Sequence, residues 1–94
     1  MKLSEIQIIP IKPQNGLVAF ASFVLNGYLY LGSVGIFTRP EGGYRLVYPT
    51  KKVGMRNINI YHPITKFFAE SIEKEVLKKF EDVMNNDRHN GNNL

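Results

Sequence analysis

Apolar residues form short runs along the first two thirds of the chain and a helical repeat along the last third. The short runs are rich in Val, Ile, Phe and Tyr and are separated by glycine or proline clusters, a pattern typical of β-strands and turns. They predict five strands, at residues 6–13, 17–25, 28–37, 44–48 and 57–61. Residues 49–54 are predicted to form a basic loop between the last two strands.

Turn residues connect the first three predicted strands. Residues 13–16, Pro-Gln-Asn-Gly, are a strong turn signal, and Asn26-Gly27 follows the second strand directly. Asn and Gly both tolerate positive φ, so this pair suits a type I′ hairpin. Gly32 and Gly35 inside the third strand indicate a bulge or a close approach of another group.

A helical repeat begins after residue 64. Its apolar stripe consists of Phe68, Ile72, Val76, Phe80 and Val83, and charged residues occupy the opposite side. Thr65 is the predicted N-cap. Residues 85–94 have no apolar period and are predicted to form a flexible polar tail, so residues 1–84 are predicted to form a single domain.

These elements predict an α+β fold, a five-stranded antiparallel sheet followed by one C-terminal helix. The second and third strands are apolar on both faces, and one helix can cover only one face of a sheet. We therefore expect a homodimer that forms through the uncovered face of the sheet. A monomer with an exposed apolar patch is the competing interpretation.

Composition indicates a small globular protein of the cytoplasm. The chain has 94 residues, 44% of them hydrophobic, which argues against a disordered chain. It has no cysteine, so a disulfide framework and a thiolate metal site are excluded. The N-terminus lacks an apolar signal core, and the longest apolar run, residues 16–25, is too short to span a bilayer. We expect no membrane association.

Charge is distributed unevenly along the chain. No Asp or Glu occurs between Glu41 and Glu70, and the formal net charge is +4. This acid-free stretch contains five cations, Arg45, Lys51, Lys52, Arg56 and Lys66. Uncompensated positive charge favours a polyanionic partner, so the stretch predicts a surface for nucleic acid. The alternative is an ordinary solvated surface.

Two motifs in this stretch resemble a known family. Tyr48-Pro49-Thr50-Lys51-Lys52 precedes His62-Pro63-Ile64 and an acidic-basic terminal helix. This order is similar to that of the stage V sporulation protein G (SpoVG) family of septation regulators, from about Leu3 to Met84. The resemblance implies an α+β domain that dimerises through its sheet and binds DNA, and in some members RNA, without catalysis. The chain departs from the family pattern at Ile58, where members usually have Arg.

The predicted nucleic-acid-binding residues are the basic set and the start of the helix: Lys51, Lys52, Arg56, Lys66, Arg45 and Thr65. Asn57 and Asn59 could contact base edges or could form the wet face of a strand. The tyrosines that flank the basic loop could stack on bases, but packing within the protein is the commoner role of such residues.

His62 and Pro63 are predicted to brace the turn before the helix, because a metal site needs several converging ligands and His89 lies far along the chain. No catalytic constellation, metal site, cofactor or small-molecule substrate is predicted. The main functional alternative is a protein-interaction adaptor that binds an acidic partner through an edge strand or the basic surface.

Overall fold

In the computed structural model, which describes residues 1–92 and the side chains of residues 1–86, six strands precede one helix. The elements are β1 (Leu3–Gln14), β2 (Leu17–Leu25), β3 (Leu29–Thr38), β4 (Tyr44–Val47), β5 (Thr50–Val53), β6 (Arg56–Asn59) and α1 (Lys66–Asn92). The first four strands form one antiparallel sheet in the order β1-β2-β3-β4, and β5 pairs with β6 in a separate two-stranded sheet.

Tight turns join the first three strands where the sequence predicts them. Asn15 and Gly16 have φ values of 53° and 91°, and Asn26 and Gly27 have 54° and 74°. Positive φ at two successive residues is the property of a type I′ turn, so both turn predictions are confirmed. The second connection is one residue longer than the tightest hairpin, because Leu25 pairs with Leu29.

β3 contains a bulge near its middle. Ala21 of β2 pairs with Val34, but Phe23 pairs with Leu31, so β3 has one extra residue at this point. Ser33, in this bulge, has a φ of 60°. A Cβ on the neighbouring Gly32 would lie 2.9 Å from the Tyr30 hydroxyl oxygen. The close approach predicted at Gly32 is therefore confirmed, and the bulge leaves the Gly32 carbonyl free to accept a bond from outside the sheet.

The core lies between one face of the four-stranded sheet and α1. Its buried residues are Leu3, Ala19, Ala21, Phe23, Val34, Ile36, Ile72, Val76 and Phe80. The predicted helical stripe is confirmed from Phe68 to Phe80, since Ile72, Val76 and Phe80 are buried and Phe68 packs beside them, whereas Val83 is half-buried outside this cluster. The predicted N-cap is also confirmed, because the Phe68 amide donates to the Thr65 Oγ1 at 3.2 Å.

The prediction of a single five-stranded sheet is wrong. The stretch predicted to be a basic loop contains β5, and β6 pairs with β5 instead of joining the main sheet. The physical reason is the two-residue turn Gly54-Met55, in which Gly54 has a φ of 62° and allows Val53 to pair with Arg56. Consecutive lysines conceal this strand from a search for apolar alternation.

Two other boundaries differ from the sequence-based expectation. β1 begins at Leu3, three residues before the predicted start, and ends at Gln14, one residue beyond the predicted end. It passes through Pro10 as predicted, because β1 is an edge strand and proline removes only one donor there. The backbone of α1 continues to Asn92, whereas a tail was expected from residue 85. The chain has no proline after Pro63 that would stop the helix. The expectation for residues 93–94 lies outside the described residues.

Candidate nucleic-acid interface

The predicted basic residues lie on a hairpin, formed by β5 and β6, that protrudes from the body of the protein. Thr50, Lys51, Lys52 and Val53 pair with Asn59, Ile58, Asn57 and Arg56 respectively. All eight residues are exposed, and the two strands pack mainly against each other. A two-stranded hairpin alone is only marginally stable in water, so the base of this hairpin must hold it in place.

Two tyrosines and one backbone bond secure the base of the hairpin. The Ile60 amide donates to the Pro49 carbonyl at 3.0 Å, which extends the pairing beyond β5 and β6. The rings of Tyr48 and Tyr61 meet edge to face with their centroids 5.8 Å apart. The Tyr61 hydroxyl donates to the Gly32 carbonyl at 2.6 Å, which connects the hairpin to the bulge in β3.

Burial at the hairpin base changes the acidity of these two phenols. Burial raises the pKa of Tyr61 to about 12, with a smaller electrostatic contribution from Tyr30. Burial likewise raises the pKa of Tyr48 to about 12, with smaller contributions from Tyr61 and Glu73. The Tyr48 hydroxyl oxygen is buried and has no hydrogen-bond partner among the described residues. Both hydroxyls therefore stay protonated and neutral at physiological pH.

The three cations of the hairpin form no ion pair with a described acidic side chain, and they lie within seven residues of one another on paired strands. Within residues 1–86, no ion pair involves Lys51, Lys52 or Arg56. By contrast, Arg39 approaches Glu41 at 3.7 Å and Glu73 at 3.8 Å. The structure thus collects three exposed positive charges on one small protruding element.

The remaining predicted binding residues lie elsewhere or already have a role. Lys66, at the start of α1, approaches Glu70 at 3.9 Å in a highly exposed pair. The Thr65 hydroxyl accepts the capping bond from the helix. Arg45 lies on β4 in the main sheet, with its guanidinium carbon 5.4 Å from the centroid of the Phe37 ring. Of the six predicted residues, the structure therefore brings together Lys51, Lys52 and Arg56 on one hairpin and places the other three outside it.

His62 and Pro63 lie between the hairpin and the helix. The Nδ1 atom of His62 donates to the Pro63 carbonyl at 3.0 Å, which requires the tautomer with a proton on Nδ1. Pro63 precedes the Thr65 N-cap by two residues, so it directs the chain toward the helix from outside the first turn. Over the described part of the chain, no three His, Asp or Glu residues are grouped as a metal site would require.

The tyrosines that flank the basic stretch are packed against other rings. Tyr44 contacts Phe80 edge to face at 4.8 Å between centroids, and Tyr48 and Tyr61 contact each other. All three are partly buried, so their rings are engaged in the protein and are poor platforms for an unpaired base. Sequence reasoning did not find the role of Tyr61 as a brace, because its acceptor, Gly32, lies 29 residues earlier.

A second exposed surface lies on the face of the main sheet opposite α1. Ile9, Phe20 and Tyr30 are exposed there and line a shallow cavity of about 320 Å³. Phe20 lies on the opposite side of β2 from Ala19 and Ala21, which are buried in the core. The expectation that α1 leaves one apolar face of the sheet uncovered is therefore confirmed for the single chain.

The fold and the hairpin together define a small α+β domain with a protruding basic β-ribbon. The sequence pattern of the SpoVG family matches residues 1–82, and the chain belongs to this family. A relative from Treponema denticola that carries the name of a septation protein, SpoVG, is 30% identical over 82 residues, which cover 86% of this chain and 87% of the relative. The described part of the chain contains no helix with the length and apolar character needed to cross a membrane.

Proposed function

We propose that this protein is a dimeric, non-catalytic regulator in the cytoplasm that binds nucleic acid. The observation that carries the proposal is the exposed hairpin, on which Lys51, Lys52 and Arg56 have no acidic partner among the described side chains. Because a relative carries the name of a septation protein, we propose cell division or sporulation as the regulated process.

The energetics of the hairpin support a polyanionic partner. Three like charges on paired four-residue strands repel one another, and the hairpin has little buried surface to offset that repulsion. A phosphate backbone removes the repulsion, and each neutralised phosphate releases counterions. With the three cations of each hairpin close to the phosphate charges, the logarithm of the binding constant for duplex DNA should fall with the logarithm of salt concentration at a slope of about −3 per chain.

The uncovered sheet face supports the dimer part of the proposal. A second copy placed on this face would bury Ile9, Phe20 and Tyr30 of both chains around a twofold axis. A dimer would present two hairpins to one ligand, so the phosphate contacts would double and binding would become tighter.

The test is fluorescence anisotropy of labelled duplex DNA, single-stranded DNA and RNA, titrated with purified protein at several salt concentrations. The double variant Lys51→Ala/Lys52→Ala should weaken binding and flatten the salt slope by about two per chain. Lys78→Ala/Lys79→Ala is the matched control, because it removes two adjacent exposed lysines from α1. Failure of the wild-type protein to bind any of the three probes at low salt would refute the proposal.

A protein-interaction adaptor is the second candidate function. Val53, Ile58 and Ile60 are exposed beside the hairpin cations, and this combination suits an acidic partner with apolar anchors. An acidic peptide containing apolar residues should then bind in the same assay more tightly than any nucleic acid. Tighter binding of the nucleic acids would reject this candidate.

A further inference from the structure

The pairing register divides the hairpin into two chemically different faces. Directly paired residues of an antiparallel ladder point to the same side, and sides alternate along each strand. The polar face therefore consists of Thr50, Lys52, Asn57 and Asn59, and the mixed face consists of Lys51, Val53, Arg56 and Ile58. The two adjacent lysines thus point in opposite directions, which is not evident from the sequence.

We propose that the polar face enters the major groove of duplex DNA and reads base edges there. This inference rests on the proposed function and names its ligand class and its reading residues. Asn57 and Asn59 supply amides, which bond the N6 and N7 atoms of adenine, and Lys52 supplies a cation, which suits the O6 and N7 atoms of guanine. Within residues 1–86, no hydrogen bond of these three side chains is formed with the protein.

The shape of the hairpin selects B-form DNA over duplex RNA. The major groove of B-DNA is about 12 Å wide and admits a two-stranded β-ribbon, whose strands are about 4.8 Å apart. Each four-residue strand extends about 13 Å, which is enough to span several base edges. The major groove of A-form RNA is too deep and narrow for side chains to read.

Single-stranded ligands fit the hairpin poorly. Sequence-tolerant binding of unpaired bases depends on aromatic side chains that stack on them. Residues 50–59 include no aromatic residue, and Tyr48 and Tyr61 at the base of the hairpin are packed against each other. The polar face instead offers hydrogen-bonding groups of the kind that contact paired base edges.

The mixed face has a different role in this arrangement. When the polar face meets the bases, Lys51 and Arg56 lie on the other face of the hairpin, and their long side chains contact phosphates at the edges of the groove independently of base sequence. Val53 and Ile58 also point away from the bases. Lys51 and Lys52 therefore form a matched pair, adjacent in sequence and equal in charge, of which only Lys52 reads sequence.

The experiment starts with selection of bound sequences from a random duplex DNA pool by the wild-type protein. The ratio of the affinity for the selected duplex to the affinity for a scrambled duplex then measures sequence reading. Asn57→Ala and Asn59→Ala should each lower this ratio about tenfold and leave affinity for the scrambled duplex nearly unchanged. Lys52→Ala should lower the ratio, whereas Lys51→Ala should lower both affinities equally. Circular dichroism verifies that each variant is folded.

A chemical probe identifies the groove. Replacing adenine by 7-deazaadenine removes the major-groove N7 acceptor and leaves the minor groove intact, so it should weaken wild-type binding about tenfold and leave the Asn57→Ala/Asn59→Ala variant unaffected. Unchanged sequence selection by the double Asn variant, or tighter binding of RNA or single strands than of duplex DNA, would overturn the inference alone. Absence of binding by the wild-type protein to every nucleic acid overturns the proposed function as well.

Discussion

The hydroxyl of Tyr61 donates a 2.6 Å hydrogen bond to the carbonyl oxygen of Gly32, and this bond connects the basic hairpin to the main sheet. Tyr61 follows β6, and Gly32 lies at the bulge in β3. The hairpin has few other attachments to the body, so the orientation of the candidate binding surface depends on this contact and on the neighbouring Tyr48 ring.

Removing this hydroxyl should loosen the hairpin. Tyr61→Phe leaves the Gly32 carbonyl without its donor and should lower the free energy of unfolding by about 1 kcal/mol in urea denaturation. Hydrogen exchange at residues 50–60 should become faster. Tyr48→Phe is the control, because its buried hydroxyl has no partner among the described residues and its loss should be neutral or slightly stabilising. Equal destabilisation by the two variants would contradict this account.

The same two phenols predict a loss of stability in alkali. Burial raises the pKa of both Tyr48 and Tyr61 from 10.0 to about 12. Below pH 10 the folded and unfolded states both hold these protons; between pH 10 and about 12 the unfolded chain loses them first, so stability falls as pH rises. The Tyr48→Phe/Tyr61→Phe variant should show a shallower decline in unfolding free energy over this range. A decline as steep as in the wild-type protein would show that other groups cause it.

The main sheet and helix could be predicted because their signals are local. Asn26-Gly27 forms a turn by its own backbone preference. The apolar stripe from Phe68 to Phe80 recurs at helical spacing and defines the face of α1 that packs on the sheet. Of the hairpin, β6 is predicted by the alternation of residues 57–61, but β5 and its pairing with β6 are not. The lysine-rich strand β5 lacks apolar alternation, and the local signal for its turn into β6 is the glycine of Gly54-Met55. A search for glycine turns between polar strands would have found it.

The candidate site was predictable in composition but not in geometry. The acid-free stretch predicts Lys51, Lys52 and Arg56 as a cationic group, and all three lie on the hairpin. Their division between two faces depends on the register, which a shift of one residue would reverse. Charge alone predicts Arg45 as part of the site, but Arg45 lies over the Phe37 ring in the main sheet.

The helix cap gives a test of local stability. Thr65→Ala removes the acceptor for the Phe68 amide and should lower the free energy of unfolding by about 1 kcal/mol. Thr65→Ser keeps a hydroxyl and should retain most of the stability, as measured by thermal or urea unfolding. If Thr65→Ser were as destabilising as Thr65→Ala, the lost methyl group rather than the cap would be responsible.

Two phenylalanines of the same helix should respond very differently to truncation. Phe80 is 2% exposed and packs against Tyr44, whereas Phe67 is 83% exposed. Phe80→Ala should lower the free energy of unfolding by about 3–5 kcal/mol, which leaves a domain of this size largely unfolded or close to unfolding. Phe67→Ala should change it by less than about 0.5 kcal/mol. A large effect of Phe67→Ala would show that this ring is covered in the native assembly.

The uncovered sheet face predicts the oligomeric state. Light scattering of the wild-type protein at micromolar concentration should give the mass of two 10.7 kDa chains. Ile9→Glu places a charge on the apolar face, where Ile9 is 62% exposed in the single chain, and should give a monomer that remains folded. Tyr28→Glu is the control, because Tyr28 lies in the β2–β3 turn, does not line the cavity and should leave the dimer intact. A monomeric wild-type protein would contradict dimerisation and leave each chain with a single hairpin, so the salt slope for DNA should then equal the value expected for one chain.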